Sequence, residues 1–369
     1  MRVEKGLEGV EVDETAISLV DGQAGTLSYR GVSIDQLVDW PFTRVVHLVL
    51  TGVDPDSAAL ARFEAELSAA AELTGRDVRL IDELASRDLH PMHVLVALAT
   101  TFERKPTTFA SFGEAAHGLA IAARLPDALA RVFRIRRREA PLPFDRDERD
   151  PNRRFLRAIG APDDPALERA FNVTQILQIE HGFNASTFAA RVVASTLAPV
   201  ENAIAGALAT LHGTLHGGAD QAALETAREV GSPLAAAAFV DRCIANGTKV
   251  MGMGHREYKV LDPRARYVKR FARELSRNTQ LEPLAATLEA IEERFLVRMC
   301  EKGKPLYANL EFYKGIVYCA AGLSPDYFTA TFGLARAFGY IAHFIESRQD
   351  NRIIRPAARY VGVMPKAGT

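Results

Sequence analysis

The sequence has little cysteine and almost no tryptophan. Of 369 residues, three are cysteines, Cys243, Cys300 and Cys319, and one is tryptophan. The cysteines are widely spaced, odd in number and form no Cys-x-x-Cys pair, so neither a disulfide framework nor a thiolate metal site is signalled. A reduced, cytoplasmic setting is the expectation. An excess of charge is missing too: 45 Lys and Arg stand against 46 Asp and Glu, a net charge of −1. A nucleic-acid partner would ask for a basic surface, and the composition gives it no support. Residues 1–12 lack both the apolar core of a secretion signal and an Arg/Ser-rich transit pattern, so the chain is expected to be neither exported nor imported.

Long apolar runs are equally scarce. Only residues 327–345, with Arg336 as their one formal charge, have the length of a membrane span. Thr329, Thr331, Arg336 and His343 lie inside this run and no second one exists, so a buried helix is expected and no membrane contact. An unpaired buried charge is costly, so Arg336 is expected beside an anion, either an acidic side chain or a bound carboxylate.

Strand-like alternation is confined to the first thirty residues, where LSYRG at 27–31 follows a turn at Asp21-Gly22. Helical periodicity dominates elsewhere. Phe63, Leu67, Ala70 and Ala71 share a face, with Gly75 as the expected stop. Leu284, Leu288, Ile291 and Phe295 form another stripe, with Glu289, Glu292 and Glu293 expected to face away. The prediction is an all-α protein, long enough for two domains. Residues 134–154 mix charges of both signs with Pro141, Pro143 and Pro151 and predict a solvated connector. Gly213, Gly217, Gly218, Gly247, Gly252 and Gly254 predict close backbone approach to a ligand or a hinge.

Three of the nine histidines sit beside glycine: His181 in EHGFNAST, His216 in LHGGAD and His255 in MGMGHREYKVLDPRAR. Such positions suit ligand-facing side chains better than core packing. Singly, each histidine is more often just a satisfied polar residue. With the glycines and Arg264 they mark a candidate site. His212, His216 and Asp220 are spaced by four, which on a continuous helix would offer three metal ligands. Gly213, Gly217 and Gly218 argue against that helix, and no metal is expected.

EHGFNASTFAARVVAST, LHGGAD, MGMGHREYKVLDPRA, NLEFYKGIVY and NRIIRPAARYVG resemble, in order and spacing, the signature segments of citrate synthases, the compact bacterial citrate and 2-methylcitrate synthases above all. ISLVDGQAGTLSYRG and HPMHVL fit as well, so the resemblance covers residues 15–362. It implies a two-domain helical fold: a large domain of 1–217 and 323–369 and a smaller mobile lobe of 218–322. It further implies condensation of acetyl-CoA with oxaloacetate to give citrate and free CoA, or of propionyl-CoA to give 2-methylcitrate. By the same resemblance His216 would stabilise the thioester enol, His255 would protonate the ketone oxygen, and Glu311 would be the base. His181, Asn184 and Phe332 would meet oxaloacetate, and Arg264, Arg336 and Arg355 would clamp its carboxylates. Arg355 would come from the partner of a homodimer. Val250, Met251, Gly252, Met253 and Gly254 would present backbone to the CoA adenine, with Lys259, Lys302 and Lys304 at its phosphates. No cofactor is implied, because the thioester carries the activation.

The chain departs from the family pattern in several places. Glu311, in Asn309-Leu310-Glu311, stands where the family places aspartate in an Asn-Val-Asp context. The longer arm leaves two readings: a base accommodated by a shifted backbone or pocket, or a catalytically silent binding paralogue. His212, Thr214, Asp220 and His93 replace a lysine-like residue, proline, asparagine and aspartate.

Overall fold

Helix starts in this chain are written locally. Asp56, Asp150, Asp164 and Asn184 each accept a backbone N–H of the helix they precede, and Pro151 and Pro165 occupy first helical positions where no donor is needed. Thr74 and Asp77 cap one helix reciprocally. The computed structural model describes residues 3–7, 9–106 and 109–364. Within them the helices are α1 (Ile34–Leu37), α2 (Phe42–Thr51), α3 (Ser57–Ala71), α4 (Gly75–Ser86), α5 (Pro91–Thr101), α6 (Ala116–Arg136), α7 (Pro151–Ile159) and α8 (Pro165–Ile176). They continue as α9 (Ala185–Ser195), α10 (Val200–Leu211), α11 (Ala219–Val230), α12 (Ala236–Asn246), α13 (Ala265–Ser276), α14 (Glu282–Glu301), α15 (Leu310–Ala320) and α16 (Phe328–Gln349). The all-α expectation holds, with one small antiparallel sheet of β1 (Ser18–Asp21), β2 (Thr26–Tyr29) and β3 (Val32–Ser33).

The long apolar run is α16, buried from Phe328 to Phe344 and surrounded by α2, α6, α9 and α10. Among the described residues no helix is long and apolar enough to cross a membrane. A second group packs α11 on α15, α12 on α14 and α13 on α15, and α13 and α15 also rest on α8. The β1–β2 turn lies against the loop before α13, where the Lys259 N–H donates to the Gly22 carbonyl (2.8 Å).

Three local expectations need correction. Gly75 does not end α3, which stops at Ala71; it opens α4, because the Thr74–Asp77 cap starts a helix there. Glu289 and Glu292 of α14 do not face away but turn to α13, where Glu289 takes Arg273 and Glu292 takes Lys269. The irregular connector is shorter than 134–154, since α6 runs to Arg136 and Asp150 caps α7. Arg154 is buried, pairing with Asp127 at 3.1 Å.

Candidate active site

His181 lies in the turn between α8 and α9, and its Nε2 meets the Tyr258 hydroxyl at 3.0 Å. It is buried, at 7 % exposure. Burial first, then the charges of Arg264, His255 and Arg336, hold its pKa well below the usual imidazole value. Asn184 caps α9: its Oδ1 accepts the Thr187 N–H (3.1 Å) and the Ser186 hydroxyl (2.8 Å). Asn184 is linked to His216 through Ser186, whose Oγ lies 2.8 Å from Nε2 of His216 and accepts the Tyr340 hydroxyl (2.8 Å).

His216 sits between α10 and α11. The chain breaks there, α10 ending at Leu211 and α11 starting at Ala219, so His212, His216 and Asp220 share no helix. His212 stacks instead on His90, ring centroids 4.4 Å apart. Gly217 allows the tight turn, since a Cβ there would lie 2.4 Å from the Leu211 carbonyl oxygen. Burial, then Arg336, pushes the His216 pKa down to about 4, so the ring is neutral near pH 7. Its Nδ1 is left open by Ser186. The one Ser186 hydroxyl proton serves either Asn184 Oδ1 or Nε2 of His216; when it turns from Asn184 to Nε2, the outward nitrogen is Nδ1–H, a hydrogen-bond donor.

His255 has a defined tautomer. Its Nδ1 accepts the backbone N–H of Glu257 (3.0 Å) and of Tyr258 (3.3 Å), which places the proton of the neutral ring on Nε2. That Nε2 is 3.5 Å from a terminal nitrogen of Arg264. Two donors that face one another at this spacing suit an oxygen acceptor shared between them. Burial, then Arg264, lowers the His255 pKa, against the pull of Asp262 and Glu311.

Arg264 does not stand free. Asp262 takes its Nε (3.0 Å) and a terminal nitrogen (2.8 Å), and also accepts the Leu310 N–H (3.2 Å) at the start of α15. One buried carboxylate therefore ties the arginine to the helix that carries Glu311. Burial disfavours the Arg264 charge, but Asp262 outweighs it and the pKa is raised. Arg336 on α16 is 2 % exposed and donates Nε to the Gln178 carbonyl (2.5 Å). Among the described residues no acidic side chain pairs with it. Phe332, one turn earlier, has its ring 4.7 Å from the Arg336 guanidinium.

Glu311 occupies the first turn of α15, capped by Asn309, whose Oδ1 accepts the Glu311 N–H (3.1 Å). Among the described residues no hydrogen bond or ion pair closes on its carboxylate. Burial raises its pKa, yet Lys314 and Arg264 together outweigh burial and the net shift is downward. Its charge in turn acts on His216, His255 and Arg264. The expected base, Glu311, therefore shares one electrostatic neighbourhood with His216, His255 and Arg264.

The loop 250–254 is braced against 307–309. Met253 bridges Ala308, Gly254 N–H donates to Tyr307 (2.7 Å), and Asn309 spans Gly252 and Gly254. Gly252 has φ +78, and a Cβ on it would meet the Phe312 ring at 2.8 Å, so only glycine fits. A cavity of about 260 Å³ beside it is lined by Gly254, His255, Tyr258, Lys259 and the 305–308 segment. Val250, Met251, Gly252, Met253, Lys302 and Lys304 do not line this cavity; both lysines lie exposed in the turn after α14. Arg355 is also apart, exposed on a segment without regular structure that Asn351 and Ile354 fasten to Ser195. Sequence reasoning missed Ser186, Tyr258 and Asp262. Each lay inside a quoted motif, and what was lacking was the knowledge of which side chain it holds. Among the described residues no group of three His, Cys, Asp or Glu is arranged for a metal ion.

A family profile described as citrate synthase, C-terminal domain, matches residues 6–357. The citrate synthase of Acidithiobacillus ferridurans is 36% identical, covering 97% of this chain and 95% of that one. The 2-methylcitrate synthase 2 of Corynebacterium glutamicum is 33% identical, covering 98% and 95%. Among solved structures, the ternary complex of carboxymethyl coenzyme A and oxaloacetate with citrate synthase from Thermoplasma acidophilum superposes with a TM-score of 0.89 at 29% identity, over 100% of this chain and 98% of that one.

Proposed function

Because the chain belongs to the citrate synthase family of acyltransferases, we propose that this site joins the α-carbon of acetyl-CoA to the ketone of oxaloacetate and releases citrate and free CoA. The observation that carries this reading is the Glu311 carboxylate, unpartnered among the described residues and set among two neutral histidines, Arg264 and Lys314. A thioester α-proton is only weakly acidic. A carboxylate removes it when the developing enolate oxygen meets a fixed donor, and Nδ1–H of His216 supplies that donor. The enol carbon then attacks the ketone. Nε2–H of His255, opposite Arg264, gives its proton to the new alkoxide. Arg264 and Arg336 hold the two carboxylates, with Arg355 brought to the site by the second subunit of a homodimer. Hydrolysis of the citryl thioester completes the reaction with no cofactor.

Residues 218–322 would move as a lobe, carrying His255 and Glu311 toward His216 and excluding water as they close. CoA would lie along 250–254, with its phosphates at Lys259 and, on the rim, Lys302 and Lys304. The cytoplasm is the proposed setting. A second reading, 2-methylcitrate formation from propionyl-CoA, is favoured by the match to the Corynebacterium enzyme. One methyl group changes binding in an apolar pocket by only about 1–3 kcal/mol, so both thioesters are expected to turn over.

The test is CoA-thiol release with oxaloacetate and either thioester, for the wild type, Glu311→Gln and Glu311→Asp. Release by the wild type and its loss in Glu311→Gln would establish the base, and the faster thioester would name the product. Oxaloacetate binding without release from either thioester would instead establish the silent paralogue.

A further inference from the structure

Three residues beyond Glu311, and so on the same face of α15, lies a lysine that the motifs do not explain. Lys314 is 0 % exposed, and its Nζ is 3.1 Å from Asp220 Oδ2 on α11, which is also 0 % exposed. The same Nζ donates to Gln178 Oε1 (2.9 Å) and lies 4.1 Å from the centre of the Phe332 ring. Gln178 is the residue whose carbonyl holds Arg336. The Phe332 ring thus lies against two cations, Lys314 at 4.1 Å and Arg336 at 4.7 Å from its centre. One polar chain runs from Asp220 through Lys314 and Gln178 to the carboxylate clamp.

We propose that Lys314 is a positioning residue of the condensation: its buried ammonium, held by Asp220 and Gln178, keeps Glu311 ionised and aimed at the thioester. This rests on the reading of Glu311 as the base. Stability alone is a poor account of the pair, since a buried ion pair contributes little over apolar residues of the same volume. The Asp220 contact is an ion pair first: Nζ lies 3.1 Å from Oδ2. The charge has a use where it stands. Against burial, Lys314 is the leading charge that favours the Glu311 carboxylate, and it also opposes protonation of His216. Both effects prepare the first proton transfer, which needs an ionised base and a neutral donor. In a site where the base has one more methylene than the family's aspartate, an attracting charge one turn away also restrains the longer arm.

The experiment compares the wild type with the neutral pair Lys314→Met/Asp220→Asn and with Asp220→Asn alone. It reads kcat against pH, KM for oxaloacetate, and the infrared titration of the Glu311 carboxyl, identified as the band lost in Glu311→Gln. The neutral pair is expected to move the acid limb of kcat and the band to higher pH, with KM changed less than about twofold. Asp220→Asn alone, which leaves the lysine uncompensated, is expected to move both to lower pH, and it serves should the pair fail to fold. A folded variant with the wild-type limb and band overturns the proposal. Absence of CoA release from the wild type would sink the condensation itself, while the infrared titration would still decide whether Lys314 sets the ionisation of Glu311.

Discussion

Gly22 offers a sharp test of how His255 is held. It lies in the β1–β2 turn, and a Cβ added there would be 2.2 Å from the carbonyl oxygen of Glu257. The obstruction is backbone, not a flexible side chain, so Gly22→Ala cannot be absorbed by a rotamer change. Restoring ordinary contact, at 3.4 Å or beyond, requires a displacement of about 1.2 Å between the turn and the 255–260 loop. Glu257 is the residue whose N–H holds Nδ1 of His255. A carbonyl pushed by that amount takes the imidazole with it. A misplacement of about 1 Å can cost on the order of a hundredfold in rate, so kcat for CoA-thiol release is expected to fall by about that factor.

Stability should fall as well, because overpacking against backbone costs about 1–3 kcal/mol. The bond directly threatened is the one from Lys259 N–H to the Gly22 carbonyl, and a single such bond contributes about 0.5–1.5 kcal/mol. Gln23→Ala, at the exposed neighbouring position, is the control and should leave both rate and melting temperature unchanged. A folded Gly22→Ala protein with kcat within about threefold of wild type would refute the reasoning, because the hairpin would then yield outward and not brace His255.

Two further outcomes follow from buried charges. Asp262→Asn removes the carboxylate that holds Arg264 and the Leu310 N–H; breaking a buried pair costs about 3–5 kcal/mol, which a shift of the denaturant midpoint would read, and an unmoved midpoint would mean Arg264 finds another partner. His90, whose pKa is pushed down to about 4 by burial and then by His212, resists a proton that the unfolded chain accepts near pH 6.5. Its contribution makes stability decline as pH falls from about 6.5 to about 4; His90→Asn, which keeps the cap on α5, should flatten that decline, and an unchanged slope would count against it.

How much of this was legible in the sequence depends on distance along the chain. The buried α16 and the turn at Asp21-Gly22 are local signals and were readable; the helix caps are local too but went unread, and Gly75 opens α4 where a stop was expected. The motif residues were readable as well, because resemblance transfers a position without its contacts. What could not be read was pairing between distant segments. Glu289 and Glu292 look like a solvated stripe until α13 lies beside α14. Asp220 looked like an isolated departure, and Lys314 went unnoticed, because nothing in the sequence says that residues on α11 and α15 meet in the core. The two belong together physically, since either charge alone in that core would be costly.

The same reasoning bears on the extra methylene of Glu311. The backbone beneath it is fixed from several sides: Asp262 holds the Leu310 N–H, and Asn309 both caps Glu311 and spans Gly252 and Gly254. A rigid frame of this kind leaves little freedom for the backbone to retreat, so the longer arm must be accommodated within the pocket. Lys314 is the charge one turn away that can draw the arm to one side. On this account Glu311→Asp would not repair the family geometry. It would withdraw the carboxylate from a pocket shaped for the longer side chain, and kcat should fall. An aspartate variant faster than wild type would show that the frame, not the side chain, had given way.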